Sequence, residues 1–182
     1  LVTRSRLLGV AHKTHLYRDS GGHDSFCDSD VLTPGAELAL FDLGDIRIGV
    51  LLGFDADFPE TFRTLALRGA DVILVALNCV QPDHDFLSGM ALRNRTPLLV
   101  ANRLGFKRSY PGMPEFSSSA IALLQDKDGS FLLRCKGGST IIDAEGRRMA
   151  NPKTNMGAED QAFPQERGPQ GSGERVGVGV QL

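Results

Sequence analysis

Residues 47–75 run RIGVLLGFDADFPETFRTLALRGADVILV, three kinds of element in succession. RIGVLL is a near-continuous apolar run of strand length, the pattern of a strand covered on both faces. A tight acid-bearing turn follows. Pro59 then starts a helix, at a position where its missing N–H costs nothing. Phe62, Leu65 and Ala66 recur at i, i+3 and i+4 and form the helix's inner face, and Gly69 suits the residue just past its end. A second apolar run fills 71–77. The unit over 46–77 is therefore predicted to be a parallel strand–helix–strand crossover. A sharp strand-to-helix turn exposes its central residue and gathers backbone N–H groups at one spot, which suits a nucleophile and an oxyanion hole. Here the central residue is Gly53. It tolerates unusual backbone angles but carries no group that can react.

Working outward, residues 6–11 are expected to form a short strand leading into His12-Lys13-Thr14-His15-Leu16-Tyr17. Residues 19–35 are polar and turn-rich, hence a loop. Residues 38–43 and 46–52 read as two strands split by a turn at Leu43-Gly44-Asp45. Asp83 is placed to cap a second helix whose inner face is Phe86, Leu87, Met90 and Ala91, and Pro97 begins a strand, PLLVA. From about residue 105 the pattern changes to short strands over 118–124, 130–134 and 139–143. These are separated by Lys127-Asp128-Gly129 and a loop over 135–138, and followed by a turn at Ala144-Glu145-Gly146. Alternating strands and helices predict an α/β layered domain over residues 1–150. The Gly/Pro-rich stretch 151–182 lacks apolar periodicity and is expected to be a poorly ordered tail.

The chain has 182 residues, 41% hydrophobic and 23% charged, with a formal net charge of −2. That length supports one domain with a real core. The balance of charge gives no electrostatic footprint for nucleic acid or an anionic membrane. No apolar run approaches a membrane span, and LVTRSRLLGV lacks the apolar core and cleavage site of a secretory signal. Three cysteines, Cys27, Cys79 and Cys135, make a sparse and odd set. This argues for a reducing compartment, the cytoplasm, and against a disulfide framework. None of them has zinc-site spacing. No metal or cofactor is expected.

Three features carry possible chemistry. Lys13 follows a predicted strand and can act as a general acid or an oxyanion-stabilising cation. Asp24, Asp28 and Asp30 supply acids that can act as base or orient that lysine. The turn at Gly53 is the third. Cys79, just after a buried strand, reads first as a small core thiol, with His84 near it in sequence. His12 and His15 straddle Lys13 but do not by themselves make a metal site.

Taken in order, these residues resemble the carbon–nitrogen hydrolase (nitrilase/amidase) superfamily. The matching motifs are Lys13-Thr14-His15-Leu16, Thr33-Pro34-Gly35, Phe54-Asp55, Phe58-Pro59-Glu60, Arg63 and Gly69-Ala70-Asp71. They continue with Ala101-Asn102-Arg103-Leu104-Gly105 and Gly138-Ser139-Thr140-Ile141-Ile142-Asp143-Ala144-Glu145-Gly146. The resemblance spans roughly residues 6–150. It implies an α-β-β-α sandwich, here incomplete at the N-terminus, and a homo- or hetero-oligomeric assembly. It also implies a Glu-Lys-Cys mechanism in which the thiol attacks an amide or nitrile carbon and the acyl-enzyme is then hydrolysed. By the same resemblance, Lys13 stands at the family lysine and Gly53 at the nucleophile cysteine. Asp28 takes the place of a second glutamate, while Phe54, Asn78 and Asn102 line the substrate site. The base glutamate belongs to a region preceding the lysine motif, and no match to it occurs. The expectation is a family member whose covalent chemistry is lost. The alternatives are an interaction subunit paired with an active paralogue, or an amidase using Cys79 as a displaced nucleophile.

Overall fold

The computed structural model describes residues 1, 7–17, 28–79, 81–108, 123–125 and 131–150. The expectations for Asp24, Cys27 and the tail from residue 151 lie outside them. The central stretch begins in a hairpin, β1 (Ala39–Asp42) and β2 (Arg47–Leu52), paired antiparallel with Leu40 opposite Gly49. β2 runs through a 3-10 turn, Gly53–Asp57, into helix α1 (Pro59–Leu67), so a full turn separates strand from helix. α1 has Pro at its first position and ends before Gly69, whose φ of 87° fits the left-handed residue that closes helices. β3 (Val72–Leu77) then pairs parallel with β2, as the crossover predicts. α2 (His84–Asn94) starts where Asp83 accepts a hydrogen bond from the Phe86 N–H at 2.9 Å, and β4 (Leu98–Asn102) pairs parallel with β3.

The remaining strands are β5 (Leu104–Arg108), β6 (Leu123–Gln125), β7 (Phe131–Lys136), β8 (Thr140–Ile142) and β9 (Arg148–Ala150). One sheet has the order β1-β2-β3-β4-β8-β9, and a second, antiparallel sheet has the order β5-β7-β6. The class is α/β, as the alternating pattern implies. Two successive crossovers in one direction place α1 and α2 on the same face of the larger sheet. There Phe62, Leu65, Leu87, Met90 and Ala91 pack on Leu51, Ile73, Val75, Leu98, Val100 and Ile142. Fully burying one such side chain contributes about 1.5–3 kcal/mol. Gly49 serves this packing: a Cβ there would lie 2.9 Å from Leu65 Cδ1, so the absence of a side chain lets α1 sit down on the sheet. The opposite face carries a row in register across four strands, Val50, Leu74, Leu99 and Ile141. Leu99 and Ile141 are 39% and 43% exposed.

Two sequence expectations need correction. Leu7 makes only an isolated bridge, and residues 8–11 are not a strand, because the Leu8 N–H turns back to Leu1 O at 2.9 Å and is lost to any ladder. Cys135 and Lys136 belong to β7 and not to a loop. They pair with Gly105 and Leu104 of β5, a strand that the sequence pattern did not reveal. Of the strand expected over 118–124, Leu123 and Leu124 are strand, and residues 118–122 lie outside the described residues. No helix among the described residues is long and apolar enough to cross a membrane.

Candidate active site at the Gly53 turn

The C-terminal end of β2 delivers Gly53 into the 3-10 turn with φ of 54°, a left-handed angle that costs an L-residue about 1–2 kcal/mol. The space around it is set by Lys13. A Cβ built on Gly53 would stand 3.5 Å from Lys13 Nζ and 3.7 Å from Cε, so the ammonium faces the place a side chain would occupy. Lys13 Nζ also donates to the Asp28 carboxylate, and both side chains are largely shielded from water. Asp28 is held in turn by its own chain. Its Oδ2 accepts from the Tyr17 N–H at 2.8 Å, and its N–H donates to Tyr17 O at 2.8 Å. Burial raises the Asp28 carboxyl. The hydrogen bonds from Lys13 and Tyr17, with the charge of Lys13, outweigh it and hold the group below its ordinary value. Asp57 shifts the other way. Its desolvation raises it above the ordinary value, against the lowering charge of Lys13, although its side chain reaches solvent.

Asp55, 1% exposed, fastens the lysine-bearing segment to the turn. Its Oδ1 accepts from Thr14 N at 3.0 Å, Thr14 Oγ1 at 2.8 Å, His15 N at 2.7 Å and His15 Nδ1 at 3.1 Å. Its Oδ2 accepts from Leu52 N at 3.2 Å. Donation from His15 Nδ1 requires the tautomer that carries its proton there, and Thr14 Oγ1 lies 3.0 Å from the same nitrogen. The aromatic rings close the same corner. His15 stacks on Phe58 with centroids 4.3 Å apart, and Phe54 meets Tyr17 and Phe58 edge-on at 5.3 and 5.1 Å.

The site residues expected from sequence thus fall into two groups. Lys13, Asp28, Gly53 and Phe54 converge at the turn. Asn102, Asn78 and Cys79 belong to the ends of β3 and β4. There the Asn102 amide ties two loops together: Nδ2 donates to Cys79 O at 3.1 Å and Gly137 O at 2.6 Å, while Oδ1 accepts from the Cys79 N–H at 3.1 Å. The Cys79 thiol also donates to Asn102 Oδ1 at 3.6 Å. Asn78 follows β3 directly and is exposed. Sequence reasoning treated Asp55 only as part of a motif. Its signal was an acid two residues past the turn with no basic neighbour to pair with locally. Among the described residues no group of three His, Cys, Asp or Glu side chains is placed to hold a metal. A surface cleft lined by Leu7, Leu8, Leu40, Phe41 and Asp42 shares no residue with the turn.

A cation aimed at the residue at a strand-to-helix turn, with an acid beside it, is an arrangement for steadying negative charge that develops next to that residue. Comparison with known proteins gives the family. The carbon-nitrogen hydrolase family profile matches residues 2–157. A nitrilase of Pyrococcus abyssi is 42% identical over 84 residues, 46% of this chain and 31% of that protein. In fold, the chain is similar to a carbon-nitrogen hydrolase from Helicobacter pylori G27, with a TM-score of 0.58 at 21% identity over 81% of this chain and 48% of that one. It is also similar to a glutamine-dependent NAD+ synthetase from Acinetobacter baumannii, with a TM-score of 0.61 at 18% identity over 82% of this chain and 24% of that one. The chain spans less than half the length of each of these relatives. With the motifs at their places on the fold and the profile matched over most of its length, the chain belongs to the carbon-nitrogen hydrolase family.

Proposed function

We propose that this chain keeps the carbon–nitrogen hydrolase site as a scaffold and does not perform its covalent chemistry on amides, nitriles or N-carbamoyl compounds. The observation that carries the reading is Gly53. The turn, its left-handed backbone and the facing Lys13 ammonium are all retained, and the position they serve has no side chain. Removing the nucleophile from a unit of cooperating groups costs most of the rate enhancement, because the other members have nothing to activate. Lys13 and Asp28 then remain as an ion pair beside the turn.

A second reading, an interaction subunit joined to an active paralogue or to a second copy, is favoured by the Val50–Leu74–Leu99–Ile141 row on the face away from the helices. Its test is co-purification with a longer chain of the same family.

The test of the main reading is ammonia release from a panel of amides, nitriles and N-carbamoyl compounds. The expected result is no release above a protein-free blank. Release that disappears in Lys13→Met contradicts it.

A further inference from the structure

The Asp55 carboxylate hydrogen-bonds to neither Lys13 nor Gly53, yet its hydrogen bonds reach the neighbours of both. Two of its donors, the Thr14 and His15 N–H groups, directly follow Lys13 in the chain. A third, the Leu52 N–H, directly precedes Gly53. The other two are the side chains of Thr14 and His15. One buried carboxylate therefore joins segments some 40 residues apart in sequence. We propose that Asp55 is a positioning residue that sets the Lys13 ammonium over the residue-53 position, acting through the backbone of residues 14–15 and 52.

The physical case rests on what else holds Lys13. Its ion-pair partner Asp28 is bonded to Tyr17, on the same segment, through both its N–H and its carboxylate. Lys13, Tyr17 and Asp28 are thus bonded to one another, and beyond Asp55 their segment meets the turn through the Tyr17–Phe54 and His15–Phe58 ring contacts, which are less directional than hydrogen bonds. Asp55 supplies the hydrogen bonds between the segment and the turn. A lysine side chain loses up to about 2 kcal/mol of rotamer freedom when fixed, so the ammonium stays over the turn only if its backbone is anchored there. A buried carboxylate is costly unless its lone pairs are filled, and the five donors named fill them. Asp55→Asn removes the charge and breaks the geometry. Its carboxamide oxygen can serve Thr14 and His15 or serve Leu52, but not both, so its NH₂ is left facing an N–H.

The proposal rests on the reading of Lys13 as the cation of the Gly53 site, and its test separates the two. In the full chain carrying Gly53→Cys, the ionisation midpoint of the introduced thiol is measured from the pH dependence of its alkylation by iodoacetamide, followed by peptide mass spectrometry. Lys13→Met and Asp55→Asn are each added to that background. The expected result is that either change raises the midpoint by about one unit, toward the ordinary thiol value near 8.5. The Lys13–Asp28 pair, followed by the Lys13 Cε resonance, stays intact in Asp55→Asn. A midpoint that responds to Lys13→Met but not to Asp55→Asn overturns the positioning role alone, even if Asp55→Asn lowers the melting temperature. A midpoint that responds to neither overturns both the positioning role and the reading of the site. If Asp55→Asn does not fold, Thr14→Val, which removes one of Asp55's five donors, decides the matter: a smaller rise supports the proposal, and none overturns it.

Discussion

Placing a thiol at residue 53 turns the geometry of the turn into a number. In Gly53→Cys the new Cβ stands 3.5 Å from Lys13 Nζ. Two unit charges about 4 Å apart interact by about 4 kcal/mol at an effective dielectric constant of about 20. At 1.36 kcal/mol per unit this is a ceiling of about three pKa units on a thiolate formed there. Two facts reduce it. Asp28 accepts a hydrogen bond from the same ammonium and brings an opposing charge, and the Lys13 side chain keeps some contact with water. About one unit survives, which puts the thiol near 7.5 instead of about 8.5. The substitution also carries a cost of about 1–2 kcal/mol, since φ at this position is 54°; urea denaturation reads that loss. The pH profile of alkylation at residue 53, resolved from the native cysteines by peptide mapping, gives the midpoint. A midpoint at or above about 8.5 refutes the reasoning, because it means that the ammonium does not face the position.

Two further outcomes follow from the same geometry. The Asp28 carboxyl is held below its ordinary value in the folded chain. It therefore contributes stability above its unfolded pKa near 3.9, and this is lost as pH falls through the lower folded value. The stability gap between the native chain and Asp28→Asn, measured by urea unfolding, is expected to hold between pH 5 and 7 and to close below about pH 4; a gap that widens on acidification is inconsistent with the pairing. Asn102→Ala leaves the Cys79 N–H and the Cys79 and Gly137 carbonyls without their amide partner. A loss of about 1–3 kcal/mol with an unchanged denaturant slope is expected, and an unchanged midpoint removes the clamp from the account.

The parts of this fold that were legible in the sequence are those whose cause is local. The buried run of β2, Pro59 at the head of α1, Gly69 past its end and Asp83 at the cap of α2 each carry their reason within a few residues. β5 and β9 escaped because Leu-Gly-Phe-Lys-Arg and Arg-Met-Ala have neither alternation nor an apolar run; only pairing with β7 and β8 makes them strands. The candidate site divides the same way. Motif order grouped Lys13, Asp28, Gly53, Phe54, Asn78 and Asn102; the first four meet at the turn, while the two asparagines stand at the ends of β3 and β4. The amide bridge of Asn102 and four of the five donors to Asp55 involve partners 23–41 residues away, which no local pattern encodes. Glycine at residue 53 was visible from the start, and the structure adds what surrounds it: an ammonium facing the place a side chain would occupy, at a left-handed backbone angle that glycine adopts without strain.

The most direct test of that central claim is intact-protein mass spectrometry of the native chain after incubation with the amide and nitrile panel. The account predicts an unchanged mass in every case. A stable acyl adduct, mapped to Cys79 or any other native residue, would contradict it, because a covalent intermediate would then form without a side chain at residue 53.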